Sequence, residues 1–357
     1  LGASGPRNRL QSDERPWNWR ASGSHPYSRL WSDRRQSNEF DDPDATHPGP
    51  QRDTYSNCPS EVFRLRRNVL IFAEISGISG VSDIRWLEFL EGRLDGEAEL
   101  IQQAAGGSLA AHLGLVDLAI AAGASGEVRQ IESLTAAETW ARLAASAGGV
   151  AEHRALVGVL LARAEFEDDR FNQLMATWYR GEARRILKLL VAMDDPDAAQ
   201  ALVEIGPAID VQHHAPDLSL MADLSKAATG DLLILAALFD EAYNRIGAVG
   251  CDPLEALTVC ELYARLGASL GDGGHMRRLA GTMLKRAEWE YADGSAIIAD
   301  AAISDAAVVL SILIECGDTT MVPWLSLVVE GQRRPAVAAA ICARPSILRF
   351  VEPEGNC

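Results

Sequence analysis

The feature that most constrains this chain is an internal repeat. Residues 138–167 align without a gap to residues 261–290, an offset of 123, and 15 of the 30 positions are identical. The first segment reads ETWARLAASAGGVAEHRALVGVLLARAEFE and the second ELYARLGASLGDGGHMRRLAGTMLKRAEWE. Self-similarity at a fixed offset is the signature of a repeat architecture, in which one supersecondary unit is used again. Weaker matches extend both ways. Leu115, Asp117 and Ala119 correspond to Leu238, Asp240 and Ala242, and the run Ile186 to Val191 resembles Val309 to Ile314. The repeated unit is therefore several helices long.

The apolar spacing within the repeat is helical. Trp140, Leu143, Ala144 and Ala147 fall at i, i+3, i+4 and i+7, the stripe of one helix face. Glu138, Arg142 and Ser146 fall on another face, and Gly148 is placed to end the helix. In the second segment Tyr263 shares its stripe with Leu266, Gly267 and Leu270. A second helix follows, with Leu156, Leu160 and Leu161 around a small Gly158 that permits close approach of a neighbour. An aromatic in the same apolar stripe of both segments is explained by packing alone.

The charged residues recur as faithfully as the apolar ones. Arg142, Arg154, Arg163, Glu165 and Glu167 return as Arg265, Arg277, Arg286, Glu288 and Glu290. Two readings fit: a shared ligand-binding groove, or ion pairs that hold the helices; the second needs no ligand. Trp140, Arg142, Arg163, Glu165, Tyr263, Arg265, Arg286 and Glu288 are therefore the candidate partner-binding or structural repeat positions. Neither segment carries a matching His, Cys or Ser nucleophile, and no catalytic, cofactor-binding or metal-ligating residue is assigned.

At these residues the chain resembles the Sel1-like branch of tetratricopeptide-type helical repeats. Ala137, Trp140, Ala144, Ala145 and Gly148 fit that family's pattern, with Leu156 eight residues after the glycine; Tyr263, Ala268, Gly271 and Leu279 do so in the second segment. The next glycine, Gly158 or Gly281, stands one position late, and Arg-Ala-Glu-aromatic-Glu replaces the family's glycine-rich loop. The resemblance implies a right-handed helical solenoid that scaffolds protein complexes. It implies no chemistry.

Along the rest of the chain, apolar residues recur at spacings of three and four from about residue 84, without strand-like alternation. Asp195-Pro196 and Asp252-Pro253 each place a capping acid before a first-turn proline. Gly206, Gly250, Gly271 and Gly294 are placed to end helices. The pattern predicts an all-α solenoid of ten to twelve helices. Its expected divisions are an N-terminal helical cap over 54–114, repeat units over 115–237 and 238–330, and a C-terminal cap and tail over 331–357. Residues 1–53 hold six of the 15 prolines, and their eight Arg balance eight acidic residues. They lack helical periodicity and are expected to be a disordered or non-native tail. The chain begins at Leu1 and its first Met is Met175, as expected of a fragment or of a reading frame extended upstream. Scarce lysine and abundant alanine suit a GC-rich bacterial genome.

A net charge of -17 opposes a nucleic-acid face, which needs a basic stripe. None of the six cysteines stands in a C-x-x-C pair, so zinc is not expected and the thiols are read as free in a reducing, cytoplasmic compartment. His213 and His214, between Asp210 and Asp217, are read as a polar turn rather than metal ligands. No P-loop, dinucleotide fingerprint, nucleophile elbow or zinc-protease helix is present, and no continuous apolar run of membrane length was found. The expected function is a non-enzymatic scaffold that binds a protein or peptide. The alternatives are an enzyme of another class with a site built from interhelix loops, and a self-associating assembly subunit.

Overall fold

The computed structural model describes residues 96–206, 218–248 and 250–333. The expected tail over 1–53, the cap residues 54–95, His213 and His214, and residues 334–357 lie outside the described residues.

The described residues are all helical. The first six helices are α1 (Glu97–Ala105), α2 (Leu109–Ser125), α3 (Gln130–Ala147), α4 (Val150–Asp169), α5 (Gln173–Ala192) and α6 (Pro196–Glu204). The next six are α7 (Leu218–Ala227), α8 (Leu232–Asn244), α9 (Pro253–Ser269), α10 (Gly273–Asp293), α11 (Ala296–Glu315) and, after a 3-10 turn at Thr319–Met321, α12 (Val322–Arg333). Helix starts at Leu109, Gln130, Val150 and Gln173 are each followed, 123 residues later, by a helix start.

The starts follow from local chemistry. Asp195, Asp231, Asp252 and Asp272 each accept a hydrogen bond from a first-turn backbone N–H, and Pro196 and Pro253 occupy first-turn positions. These bonds satisfy donors that a helix start otherwise leaves open. Gly206, Gly271 and Gly294 stand at or just past helix ends as expected, whereas α8 ends at Asn244, six residues before Gly250. Gly271 and Gly294 adopt φ of 81° and 87°, where a side chain is strained and glycine is not.

Each helix packs on the next within a set, α1 through α6 and α7 through α12. Solenoid stacking would continue this from α6 onto α7. The closely packed pairs between the sets are instead α3 with α9, α3 with α7, and α1 with α9. One apolar core runs through both sets, from Ile101, Leu115 and Trp140 to Leu266, Leu284 and Leu310. The repeat boundaries expected at residues 115 and 238 fall inside α2 and α8, and residue 330 lies inside α12. Leu109 and Leu232 match at the first residue of α2 and α8, but the five positions that follow differ, so the run of identities resumes only at Leu115 and Leu238.

Among the described residues one helix, α11, is long and apolar enough to cross a membrane, against the expectation of no such segment; half of its apolar stretch is buried in the fold. Ala299, Ala302, Ile303, Ala306 and Leu310 form its buried side. Asp300 and Asp305 interrupt the run, which is why it escapes a search for unbroken apolar sequence.

Gly267 of α9 shows how tightly the helices meet. A Cβ built on it stands 2.2 Å from the His275 ring of α10. That ring is tethered, its Nδ1 lying 2.6 Å from Asp272 Oδ2. The positions 123 residues earlier hold Ala144 and Glu152, so the methyl occurs where the imidazole does not. Gly267→Ala is expected to destabilise the chain by about 1–3 kcal/mol through overpacking. A denaturant midpoint equal to that of the wild type would show that the imidazole moves aside freely.

Candidate functional site

The charged residues singled out by the repeat converge where the two sets meet. Glu132 is the third residue of α3, and Glu255 the third of α9. Arg286 of α10 donates to Glu132, and Arg163 of α4 donates to Glu255. Each arginine thus crosses to the other set. Each also stays tied to its own. Arg163 Nη1 donates to Thr135 Oγ1 and Arg286 Nη2 to Thr258 Oγ1, both at 3.3 Å. Arg163 lies 3.5 Å from Glu138, and Arg286 lies 3.3 Å from Glu261. Those two glutamates in turn pair with Arg142 and Arg265 four residues on. Every residue in one cluster stands 123 positions from its counterpart in the other.

Burial makes the pairing obligatory. The Arg163 and Arg286 side chains are 3% and 6% exposed. A charge taken out of water is tolerated when an opposite charge and further hydrogen bonds meet it.

The clusters differ at three positions, and a cavity lies beside the one that holds Arg265 and Arg286. Tyr179 of α5 accepts from Arg163 Nε at 3.2 Å and Nη2 at 2.8 Å, and its ring centroid lies 5.1 Å from the guanidinium carbon. Burial pushes the Tyr179 hydroxyl well above its ordinary range. Residue 302 is alanine, and Arg286 Nε has no hydrogen-bond partner. Arg142 fills both Nη positions with Glu182 at 2.7 and 2.8 Å. Its counterpart Arg265 leaves Nε and Nη1 without a hydrogen bond, although Nη1 lies 3.6 Å from Glu97 Oε2. Position 220, the counterpart of Glu97, is leucine. A cavity of about 90 Å³ lies against Arg265 and Arg286, walled also by Glu132, Glu261, Trp140 and Leu115. It is large and polar enough for ordered water.

The structure therefore gathers Arg142, Arg163, Arg265 and Arg286 into two ion-pair clusters at the junction of the sets. Trp140 and Tyr263 are buried at 1% and 7% exposure, and Trp140 adjoins the cavity. Glu288 stands apart and pairs with Lys285 at 2.7 Å. Sequence reasoning passed over Glu132 and Glu255. The available signal was an acid at the third position of two helices starting 123 residues apart. At such a position an acid reads as complementing the helix dipole; here it reaches across to the other set.

Among the described residues no group of three or more His, Cys, Asp or Glu is arranged to hold a metal ion. Cys260 is a free buried thiol whose pKa burial raises, the opposite of what activates a nucleophile. No protein-family model, curated protein or solved structure matches the chain.

Proposed function

We propose that this chain is a non-enzymatic scaffold for a protein or peptide partner, built by internal duplication and related to the Sel1-like and tetratricopeptide-type repeats. The reciprocal contacts, α1 on α9 and α7 on α3, support two copies facing each other about a pseudo-two-fold axis. That is the logic of an isologous dimer, in which residue i meets j and j meets i. The conserved-offset charges are then used internally, to join the copies.

The observation that carries the scaffold reading is on the surface. Leu174 and Ile297, 123 residues apart and each second in its helix, are 72% and 87% exposed, and Phe171 beside Leu174 is 90% exposed. A lone exposed leucine needs no explanation. A large aliphatic exposed at the same place in both copies, where duplication gave each the freedom to become polar, marks a contact surface.

The test is capture of partners by the immobilised full chain, beside a Leu174→Asp/Ile297→Asp variant. A protein retained by the wild type and lost by the variant supports the reading. Equal retention, or none by either, overturns it. Sedimentation of both proteins separates the assembly-subunit alternative, in which the variant lowers the mass of the chain's own oligomer.

A further inference from the structure

A second feature lies between the sets. A groove of about 380 Å³ is lined almost wholly by pairs of residues 123 positions apart. Its apolar lining is Phe166 with Trp289 and Ile131 with Leu254. Its charged lining has the same spacing but opposite sign: Arg129 and Arg170 come from the first set, and Asp252 and Asp293 from the second. The shape is repeated and the charge is split.

Two of these four charges are already engaged. Arg129 makes two hydrogen bonds to the buried Glu290 carboxylate, at 3.0 and 2.7 Å. Asp252 accepts from Leu254 N–H at 2.9 Å and caps α9. Arg170 and Asp293 remain, both exposed, and among the described residues neither forms an ion pair, although the Asp293 charge acts on Arg129, whose guanidinium carbon lies 5.6 Å from the Trp289 ring centroid and covers one face of it. Arg170 lies over the Phe166 ring at 5.2 Å, held at the groove rather than extended into solvent. The residue in the capping position of α3 is Arg129, and no side chain caps that helix.

We propose that this groove binds a small dipolar ligand with an apolar body. Its carboxylate meets Arg170 and its ammonium meets Asp293, with the body between Phe166 and Trp289. The chemical class is an apolar α-amino acid or a short apolar peptide with free ends. This goes beyond the scaffold reading and does not depend on it, since the groove and the Leu174 and Ile297 surface share no residue.

The test is calorimetric titration of the full chain with L-phenylalanine and with L-leucyl-L-phenylalanine. One of them is expected to saturate at one site per chain, and which one does so identifies the source. Charge-assisted contacts at a partly exposed rim set the expected penalty for acetylating the amine or amidating the carboxylate, a weakening of about fivefold or more. Asp293→Asn is expected to abolish the difference between free and N-acetylated ligand, and Arg170→Gln the difference between free and amidated ligand. Circular dichroism of both variants should match the wild type. Failure of both probes to saturate at millimolar concentration overturns the proposal. So does binding indifferent to blocked ends or to both substitutions.

Discussion

Replacing Arg286 by methionine is expected to lower stability by about 3–5 kcal/mol, the range for removing one partner of a buried ion pair. Arg286 is 5% exposed, and it faces Glu132 and Glu261, which are 8% and 4% exposed. Removing the guanidinium strands two carboxylates in a site that water reaches poorly. Glu261 keeps Arg265 at 2.7 Å, so Glu132 bears most of the loss. The matching substitution Arg163→Met is expected to be milder, because the Glu255 side chain is 29% exposed and rehydrates more readily. Arg286→Met combined with Glu132→Leu should recover much of the loss, since an apolar pair of similar volume replaces a buried ion pair at little net change. Chemical denaturation of the four proteins checks the ordering. Equal losses for Arg163→Met and Arg286→Met would count against the role given to Glu255 exposure, and no recovery in the double variant would count against the Arg286–Glu132 pairing.

Trp140→Ala is expected to cost about 3–5 kcal/mol, the usual range for truncating a large buried aromatic. The ring is 1% exposed and meets His112 edge-on, with centroids 5.9 Å apart. His112 is itself fixed, its Nδ1 lying 2.9 Å from the Ser108 carbonyl oxygen, and burial holds its imidazole below the ordinary pKa. Truncation merges the vacated volume with the neighbouring cavity of about 90 Å³. Arg265 and Glu261 on that cavity's wall attract water, which holds the loss near the lower end of the range. Trp140→Phe keeps a ring in place and should lose less. An unfolding midpoint unchanged by Trp140→Ala would instead assign the indole to partner contact.

The sequence discloses what local spacing controls. The stripe of Trp140, Leu143, Ala144 and Ala147, the capping pairs Asp195-Pro196 and Asp252-Pro253, and the terminal glycines each state a helix or its end through neighbours within four residues. What stayed hidden is long-range. Nothing in Glu132 or Glu255 shows that its partner lies 154 or 92 residues away. The repeat offset discloses which positions of the two segments match but not how the two sets face, because head-to-tail stacking and reciprocal packing need the same apolar stripes. The difference rests on α3 and α9, whose inner faces bury acids, threonines and aromatics together. The groove is half legible: Phe166 and Trp289 fill the aromatic place of the Arg-Ala-Glu-aromatic-Glu run in both segments. The sign reversal from Arg129 and Arg170 to Asp252 and Asp293 lies beyond the ends of the aligned segments, where identity falls away.

Reciprocal pairing has a consequence for how the chain comes apart. Pulling the two sets away from each other exposes Arg163, Glu255, Arg286 and Glu132 together, and breaks both of their ion pairs, with Arg129–Glu290 and Arg265–Glu97, in one step. Neither set keeps a complete partner for its own crossing arginine. A partly unfolded state with one set intact therefore carries the same electrostatic penalty as the fully opened chain, without the entropy that full unfolding releases. Such a state is poorly populated, so the two sets behave as a single cooperative folding unit rather than as two separately melting domains.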